Sequence, residues 1–377
     1  MRNLTIFFIV ILFSCSEKSQ NSGLGYFTDL QFSLDTVLID SGNEIVFLKY
    51  DLFGADKSKD DKYLFNFNVD DHSLEKINLD ELRLEKKLPF EKEGPNGTGQ
   101  NVGKIKVQNE NQVMINGMNH STVFSFGGEK LMKIFFENFS LGGNPMEGAE
   151  EIRFSRELDA EANRLYGIIL RHMDKSFALG ILNLDLFEIS KIEIKTFERM
   201  PNYTFIQNLP GGSMWIRSPE IEIEKFDTKM ILSNQITSSL MWYDTRLDSL
   251  FMKSYNSQLT ANEKVNEYKL KHETEESFDA EINRFHQEIN FLAPFWDQKN
   301  QVFYRFSYQD IASESNQEEA KAKVYLTVFD KDLNQIGETS IPQLIKKPAK
   351  HFAKDGKIWI YENINDEMGF VVLTMNK

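Results

Sequence analysis

The chain has 377 residues, with 57 Asp and Glu against 43 Lys and Arg for a net charge of -14, 41% hydrophobic residues, and one cysteine, Cys15. A single thiol excludes an internal disulfide framework, an iron–sulfur cluster and a multi-cysteine zinc site. The acidic balance argues against nucleic acid, whose phosphates are met by clustered Lys and Arg, and against adsorption to an anionic membrane through a basic patch.

Residues 1–14 read as a secretory signal. Arg2 supplies the positive start, and residues 4–13 are an unbroken apolar run, too short for a spanning helix of about 20 residues. The run ends in Leu12-Phe13-Ser14-Cys15, which resembles the bacterial lipobox. That resemblance implies removal of residues 1–14 and acylation of Cys15, for example with palmitate. The alternative is an ordinary cleaved signal with an incidental cysteine. Ser16 and Glu17 follow, without Asp. By the usual sorting logic this favours the outer membrane of a diderm bacterium, with the periplasmic or surface face left open. Residues 15–26 are polar and read as a flexible tether.

Residues 27–377 form one unit built on a repeat. Paired short apolar segments separated by polar turns recur six times: 62–67 with 74–79, 112–116 with 122–126, 164–170 with 177–182, 229–233 with 239–243, 301–306 with 323–329, and 357–361 with 369–374. They are rich in Val, Ile, Phe and Tyr and bounded by Gly, Asn, Asp or Ser, the signature of strands. A further candidate strand precedes each pair, at 44–48, 103–107, 151–154, 220–223, 288–292 and 351–353. A more polar outer strand follows most of them, as at 131–136, 189–194 and 250–253. Four strands repeated six times predict an all-β fold, a six-bladed β-propeller. The last unit lacks its outer strand, and residues 28–34 form a strand without a unit. The N-terminal strand is therefore expected to close the last blade and remove its exposed edge. A pair of β-sandwiches would need a central linker, and none is visible.

Small insertions interrupt the repeat. Residues 201–219 read as a long loop around Pro210-Gly-Gly212 and Trp215, and 310–322 as a polar segment, loop-like or weakly helical. A small helical insertion is expected near 258–290. There Thr260-Ala-Asn-Glu263 is a capping box, and Phe278, Ile282, Phe285 and Ile289 share one helical face.

Motifs that carry chemistry fail on inspection. The glycines of 93–99 miss the Walker spacing, and Ile105 stands where Ser or Thr is required, so an inter-blade turn is expected. The six histidines, at 72, 120, 172, 272, 286 and 351, show no ligand spacing. His72, His120 and His172 do fall in equivalent turns. Ser73-x-x-Lys76 has no partner motif, the aspartates at 51, 56, 60 and 61 lack the glycine of a calcium loop, and no Gly-x-Ser-x-Gly elbow occurs. No metal and no cofactor are expected. Trp242 and Trp359 lie inside strands and read as core, whereas Trp215 and Trp296 flank Gly/Pro loops and are placed to stack on a sugar or peptide.

Taken together, Glu93-Gly-Pro-Asn-Gly97 after an outer strand, a strand pair, Phe295-Trp-Asp297 and Tyr304-Arg-Phe306, behind the lipobox, resemble the bacterial lipoproteins grouped as domain of unknown function 4221. The resemblance implies a six-bladed propeller lipoprotein and brings no activity with it. Two functions compete. The first is a non-enzymatic binding or scaffold protein, lipid-anchored in the outer membrane, for a glycan, peptide or envelope partner. Its candidate ligand face is Glu93, Asn96, Asn144, Glu151, Arg153, Trp215, Arg217, Trp296 and Arg305. The second is a propeller-type hydrolase or lyase acting on a glycan or lactone.

Overall fold

The computed structural model describes residues 31–376 except 142–143, 146–149 and 313–320. Residues 1–30, with the signal, Cys15 and the tether, and most of the 310–322 loop lie outside the described residues. Strand β1 (Gln31–Leu38) comes first. Sheet 1 holds β2 (Asp56–Lys57), β3 (Tyr63–Asn68), β4 (Ser73–Asn78) and β5 (Arg83–Pro89), and sheet 2 holds β6 (Ile105–Asn109), β7 (Gln112–Asn116), β8 (His120–Ser125) and β9 (Lys130–Phe135). Sheet 3 holds β10 (Ser140–Leu141), β11 (Asn144–Pro145), β12 (Glu150–Asp159), β13 (Arg164–Arg171), β14 (Ser176–Asn183) and β15 (Glu188–Glu193). A hairpin of β16 (Phe205–Asn208) and β17 (Met214–Arg217) follows. Sheet 4 is β18 (Ile221–Phe226), β19 (Lys229–Asn234), β20 (Leu240–Asp244) and β21 (Ser249–Lys253). After β22 (Lys271–His272) and helix α1 (Glu275–Gln287) comes sheet 5, with β23 (Asn290–Phe291), β24 (Phe295–Asp297), β25 (Val302–Asp310), β26 (Ala322–Phe329) and β27 (Gln335–Ser340). Sheet 6 is β28 (His351–Lys354), β29 (Lys357–Ile364) and β30 (Glu367–Asn376), and β1 is its outer strand, in register from Gln31 opposite Asn376 to Leu38 opposite Gly369.

Each sheet is built on a meander of consecutive antiparallel strands, to which sheet 3 adds β10 parallel to β15 and sheet 6 adds β1, and its apolar faces pack on both neighbours. Phe65 and Leu74 of sheet 1 meet Ile105 and Phe124 of sheet 2. Met114 and Ile134 meet Ile152 and Leu165 of sheet 3, and Tyr166 and Leu179 meet Ile223 and Leu232 of sheet 4. Ile231 and Leu240 meet Phe303 and Phe329 of sheet 5, and Tyr304 and Leu326 meet Ile358 and Leu373 of sheet 6. Trp359 and Phe370 of sheet 6 then meet Leu64 and Ile77 of sheet 1. The packing closes on itself, so the sheets form a ring. Each buried large apolar side chain contributes roughly 1.5–3 kcal/mol, which makes these interfaces the main source of stability.

The inner strands run in one direction. The Ile105 N–H donates to the Gly54 carbonyl at 3.0 Å, and two residues on, the Val107 N–H donates to Asp56 Oδ2 at 2.8 Å. Lys104 pairs with Glu222 as Lys106 pairs with Glu224. All inner strands therefore start at one end of the ring and finish at the other.

Three expectations need correction. Residues 44–48 are not a strand, and the inner strand of sheet 1 is β2. The backbone of Phe47 is held instead by buried side chains of sheet 1: its N–H donates to Glu75 at 2.9 Å, and its carbonyl accepts from Asn66 Nδ2 at 2.7 Å. The 201–219 segment is not a plain loop. It contains the β16–β17 hairpin, with β22 added in parallel. Thr260 caps no helix: its N–H donates to Ser257 Oγ, and Glu263 is taken by Arg199 at 2.5 Å. The true N-cap is Thr274, whose side chain accepts from the Ser277 N–H, the ordinary way of satisfying a first-turn donor.

Phe278, Ile282 and Phe285 form the buried apolar face of α1, while Ile289, expected on the same face, is buried just past the helix end at Gln287. Phe285 meets Tyr203, Phe205 and Tyr268 with centroids 5.7–6.1 Å apart. Beneath it lies Lys264, fully buried, donating to the Phe285 carbonyl at 2.6 Å and set 3.8 Å from the ring centroid. Burial pulls its pKa down to about 7, with Glu288 and Asp310 partly offsetting. Between that value and the unfolded pKa near 10.4 the unfolded chain binds the extra proton, so stability rises with pH across this window. Lys264→Met is expected to abolish that rise and to match or exceed wild-type stability at pH 7. Urea melts at pH 7 and pH 9 check it, and a slope that survives the substitution contradicts it.

Candidate functional site

At the centre of the ring the inner strands enclose a cavity of about 500 Å³. Its wall is charged because the inner strands alternate. Ile221 and Ile223 of β18 face the core, while Glu220, Glu222 and Glu224 face the cavity. Lys104, beside the buried Ile105, also faces the cavity, and Lys106 lies behind the wall between carboxylates. Most of these charges are matched. Lys104 pairs with Glu222, and Ser155 Oγ donates to that carboxylate at 2.7 Å while accepting from the Ile223 N–H at 2.9 Å. Burial works against the Glu222 charge, but Lys104 and Ser155 outweigh it and hold the carboxyl below the usual range. Lys106 lies between Glu157 at 2.5 Å and Glu224 at 2.7 Å. Burial opposes its charge, yet these carboxylates and Asp56 raise its pKa. Burial pushes Glu157 up to about 7, with Lys106 opposing and Glu224 reinforcing. Lys57 pairs with Asp61 and donates to the Ala353 carbonyl at 3.0 Å, and burial lowers it to about 8. Lys225 pairs with Asp159, and Lys347 with Glu220 at 3.5 Å.

Lys350 differs. It lines the cavity just before β28, and no carboxylate lies within 4.0 Å of its ammonium among the described residues; Lys59 shares that property but is exposed at the rim. Burial lowers its pKa, Asp56 and Glu224 act from further off to raise it, and Lys106 and Lys104 add to the lowering. At the start end the cavity is bordered by residues 50–53. At the finish end it is bordered by Phe226, Trp296 and Phe303, with Trp296 centroids 4.6 Å and 4.8 Å from those of Phe226 and Phe303.

The residues expected on one ligand face separate into three groups. Glu93 and Asn96 precede β6, Asn144 lies on β11, Glu151 and Arg153 begin β12, and Trp215 and Arg217 lie on β17, all at the start end. Trp215 is 62% exposed. Asn96 is occupied by the Lys130 N–H at 3.1 Å, and Glu151 pairs with Arg153 and His172. Trp296 lies at the opposite, finish end. Arg305 is on neither face: it is 2% exposed and donates to the carbonyls of Leu292, Ser238, Asn234 and Thr237. Its place in a strand buried on both sides makes it a clamp between sheets 4 and 5. Arg156 is its counterpart between sheets 2 and 3, donating to the carbonyls of Gly117, His120, Met118 and Ile152.

The three turn histidines are engaged separately: His72 with Thr98 at 2.6 Å, His120 against the Phe135 ring, and His172 with Glu151. Among the described residues, no group of three His, Cys, Asp or Glu side chains is placed to share a metal ion. Ser73 donates to Asp71 while Lys76 pairs with Glu85, so the two form no catalytic dyad. Gly94 and Gly99 have φ of 94° and 87°, the left-handed turn geometry expected of that stretch. Among the aspartates of the 51–61 loop, Asp56 accepts from the Val107 N–H, Asp60 from Ser58 and Lys62, and Asp61 pairs with Lys57.

A closed ring of antiparallel meanders around a central cavity defines a propeller-type all-β protein. The chain belongs to the family described as Domain of unknown function (DUF4221), whose profile matches residues 28–340. It is similar to a solved member of that family from Bacteroides vulgatus, at 16% identity and a TM-score of 0.62, over 92% of this chain and 99% of that one. It is also similar to a candidate exported protein from Bacteroides fragilis, at 9% identity and a TM-score of 0.53, over 93% of this chain and 98% of that one. At such identities the likeness speaks to fold alone. No curated protein matches the chain.

Proposed function

We propose that the chain is a six-bladed β-propeller, held in the outer membrane of a diderm bacterium by lipid on Cys15, that binds a glycan, peptide or envelope partner in its central cavity. The blade count is supported by six sheets of four or more strands among the described residues, with one core cluster at each sheet-to-sheet contact. The observation that carries the binding reading is the cavity itself: about 500 Å³, lined by polar groups and aromatic rings, within the usual size range for small-molecule sites. The competing reading, a hydrolase or lyase for a glycan or lactone, would need a carboxylate or histidine free to move a proton. In the wall, Glu220, Glu222 and Glu224 are committed to lysines, Asp61 to Lys57 and Asp56 to the Val107 N–H, which leaves Asp51, exposed at the mouth, as a single carboxylate. His351, the histidine in the wall, is lowered by burial to about 4 and holds the Ala349 carbonyl at 2.7 Å.

Two measurements test this. Cys15→Ala is expected to abolish palmitate labelling and move the protein from the membrane to the soluble envelope fraction; an unchanged distribution rejects the anchor. Glycan and peptide arrays probed with wild type and with Ala293→Trp, which fills the cavity, are expected to show a ligand that only the wild type retains. Turnover of a glycan or lactone by the purified protein would favour the enzyme instead.

A further inference from the structure

We propose that the start-end mouth of the cavity is a subsite for an anionic sugar, a carbohydrate residue carrying one carboxylate or phosphate. This rests on the reading of the cavity as a binding site and names its ligand class.

Three independent features converge there. The first is Lys350. Of the other lysines lining the cavity, Lys57, Lys104, Lys225 and Lys347 are answered by carboxylates, so an arriving anion would have to displace a partner at each, and Lys59 is exposed to solvent at the rim. Lys350 offers its charge with nothing to displace. Desolvation already lowers its pKa, and an anion in contact would restore the charged form. The second is the surrounding wall. Asp56, Glu220, Glu222 and Glu224 are hydrogen-bond acceptors; they welcome hydroxyl donors and repel a second anion, so the ligand carries one negative group among many hydroxyls.

The third is the turn beside Lys350. Tyr50, Asp51 and Leu52 have φ of 60°, 52° and 55°, three consecutive non-glycine residues in the left-handed region, at roughly 1–2 kcal/mol each. The turn persists because it is held from several sides. Leu52 is buried, the Phe53 and Ala55 N–H groups donate to the Tyr50 and Leu52 carbonyls at 2.9 Å, and the Lys350 N–H donates to the Asp51 carbonyl at 3.3 Å. Its product is a pair of aromatic rings at the mouth, with Tyr50 76% and Phe53 52% exposed. Large aromatics left in water on a strained, well-fixed turn suit the apolar C–H face of a sugar ring. Lys350, tied to the same turn, then receives the anionic substituent.

The test is NMR or calorimetric titration of the full chain with glucuronate, glucose 6-phosphate and glucose. At least one anionic sugar is expected to bind about tenfold tighter than glucose, with the carboxylate and phosphate arms reporting which anion is preferred. Lys350→Met is expected to erase that preference without lowering the melting temperature. Lys350→Arg is expected to retain most of it, and Tyr50→Ala, at an exposed ring, to weaken anionic and neutral sugars alike. Equal binding of glucose and the anionic sugars, or an unaltered preference in Lys350→Met, overturns this inference while leaving the cavity a binding site. No binding of any of the three sugars by folded protein also overturns it. Loss of every ligand found on the arrays would instead remove the wider reading.

Discussion

Arg305→Ala is expected to lower the unfolding free energy by about 3–5 kcal/mol, because several buried carbonyls lose their donor at once. The guanidinium donates at 2.5–3.2 Å to four carbonyls, three of them from residues 234–238 in the turn between the second and third strands of sheet 4. Removing it leaves those acceptors buried without donors, at about 1–3 kcal/mol for each that water cannot reach. Arg305→Lys is expected to recover only part of the loss, because one ammonium cannot reproduce the planar fork. Arg156→Ala should behave alike but less severely, since its Nε already lacks a partner. Urea denaturation at pH 7 measures all three. A loss under about 1 kcal/mol for Arg305→Ala would mean that the turn carbonyls are readily hydrated.

Lys106→Met is expected to cost a similar amount, about 3–5 kcal/mol at pH 8, and to make stability depend steeply on pH. The ammonium ties β6 to Glu157 of β12 and Glu224 of β18, so three sheets meet on one charge, with Asp56, Lys104 and Lys350 nearby. Without it Glu157 is a buried carboxylate facing another. Its folded pKa, already about 7, exceeds the unfolded value near 4.3. The folded state therefore holds the extra proton between those values, and stability rises as pH falls through that window. Losing Lys106 raises the folded value further. The variant should thus regain part of its deficit at pH 5, and Glu157→Gln in the same background should regain much of it at pH 8. Melts at pH 5, 6.5 and 8 decide; a deficit that does not change with pH removes Glu157 as its cause.

Much of the ring could be read from local pattern, because paired strands such as β13 and β14 are long, apolar and bounded by turn residues. The inner strands were harder. Those of sheets 2 and 4 carry apolar residues at 105, 107, 221 and 223, but β2 is only Asp56–Lys57, a charged dipeptide that no apolar rule selects. The apolar run at 44–48 fits the strand rule better, and only the distant side chains of Asn66 and Glu75 explain why it stays unpaired. Glu220-Ile-Glu-Ile-Glu224 and Lys104-Ile-Lys106 alternate charged and apolar residues, so each strand has one charged face. Nothing local says that those faces meet across 118 positions of sequence. Lys350 sits in an unremarkable basic stretch, and its lack of a partner is a property of the closed ring. Arg305 invited a ligand role because arginine is rarely buried, yet its flanking run of Phe and Tyr was the local sign of a strand covered on both sides.

The seam between β1 and β30 also decides how the molecule bears mechanical force. Gln31 lies opposite Asn376 and Leu38 opposite Gly369, so a pull on the chain leading into β1, with the ring held by a ligand at its start end, acts along the strands. All eight residue pairs are then loaded together, in shear. A pull between Gln31 and Asn376, which lie side by side, would open the same seam one pair at a time. The ring is thus built to resist tension from its N-terminal side and to yield when its own ends are drawn apart.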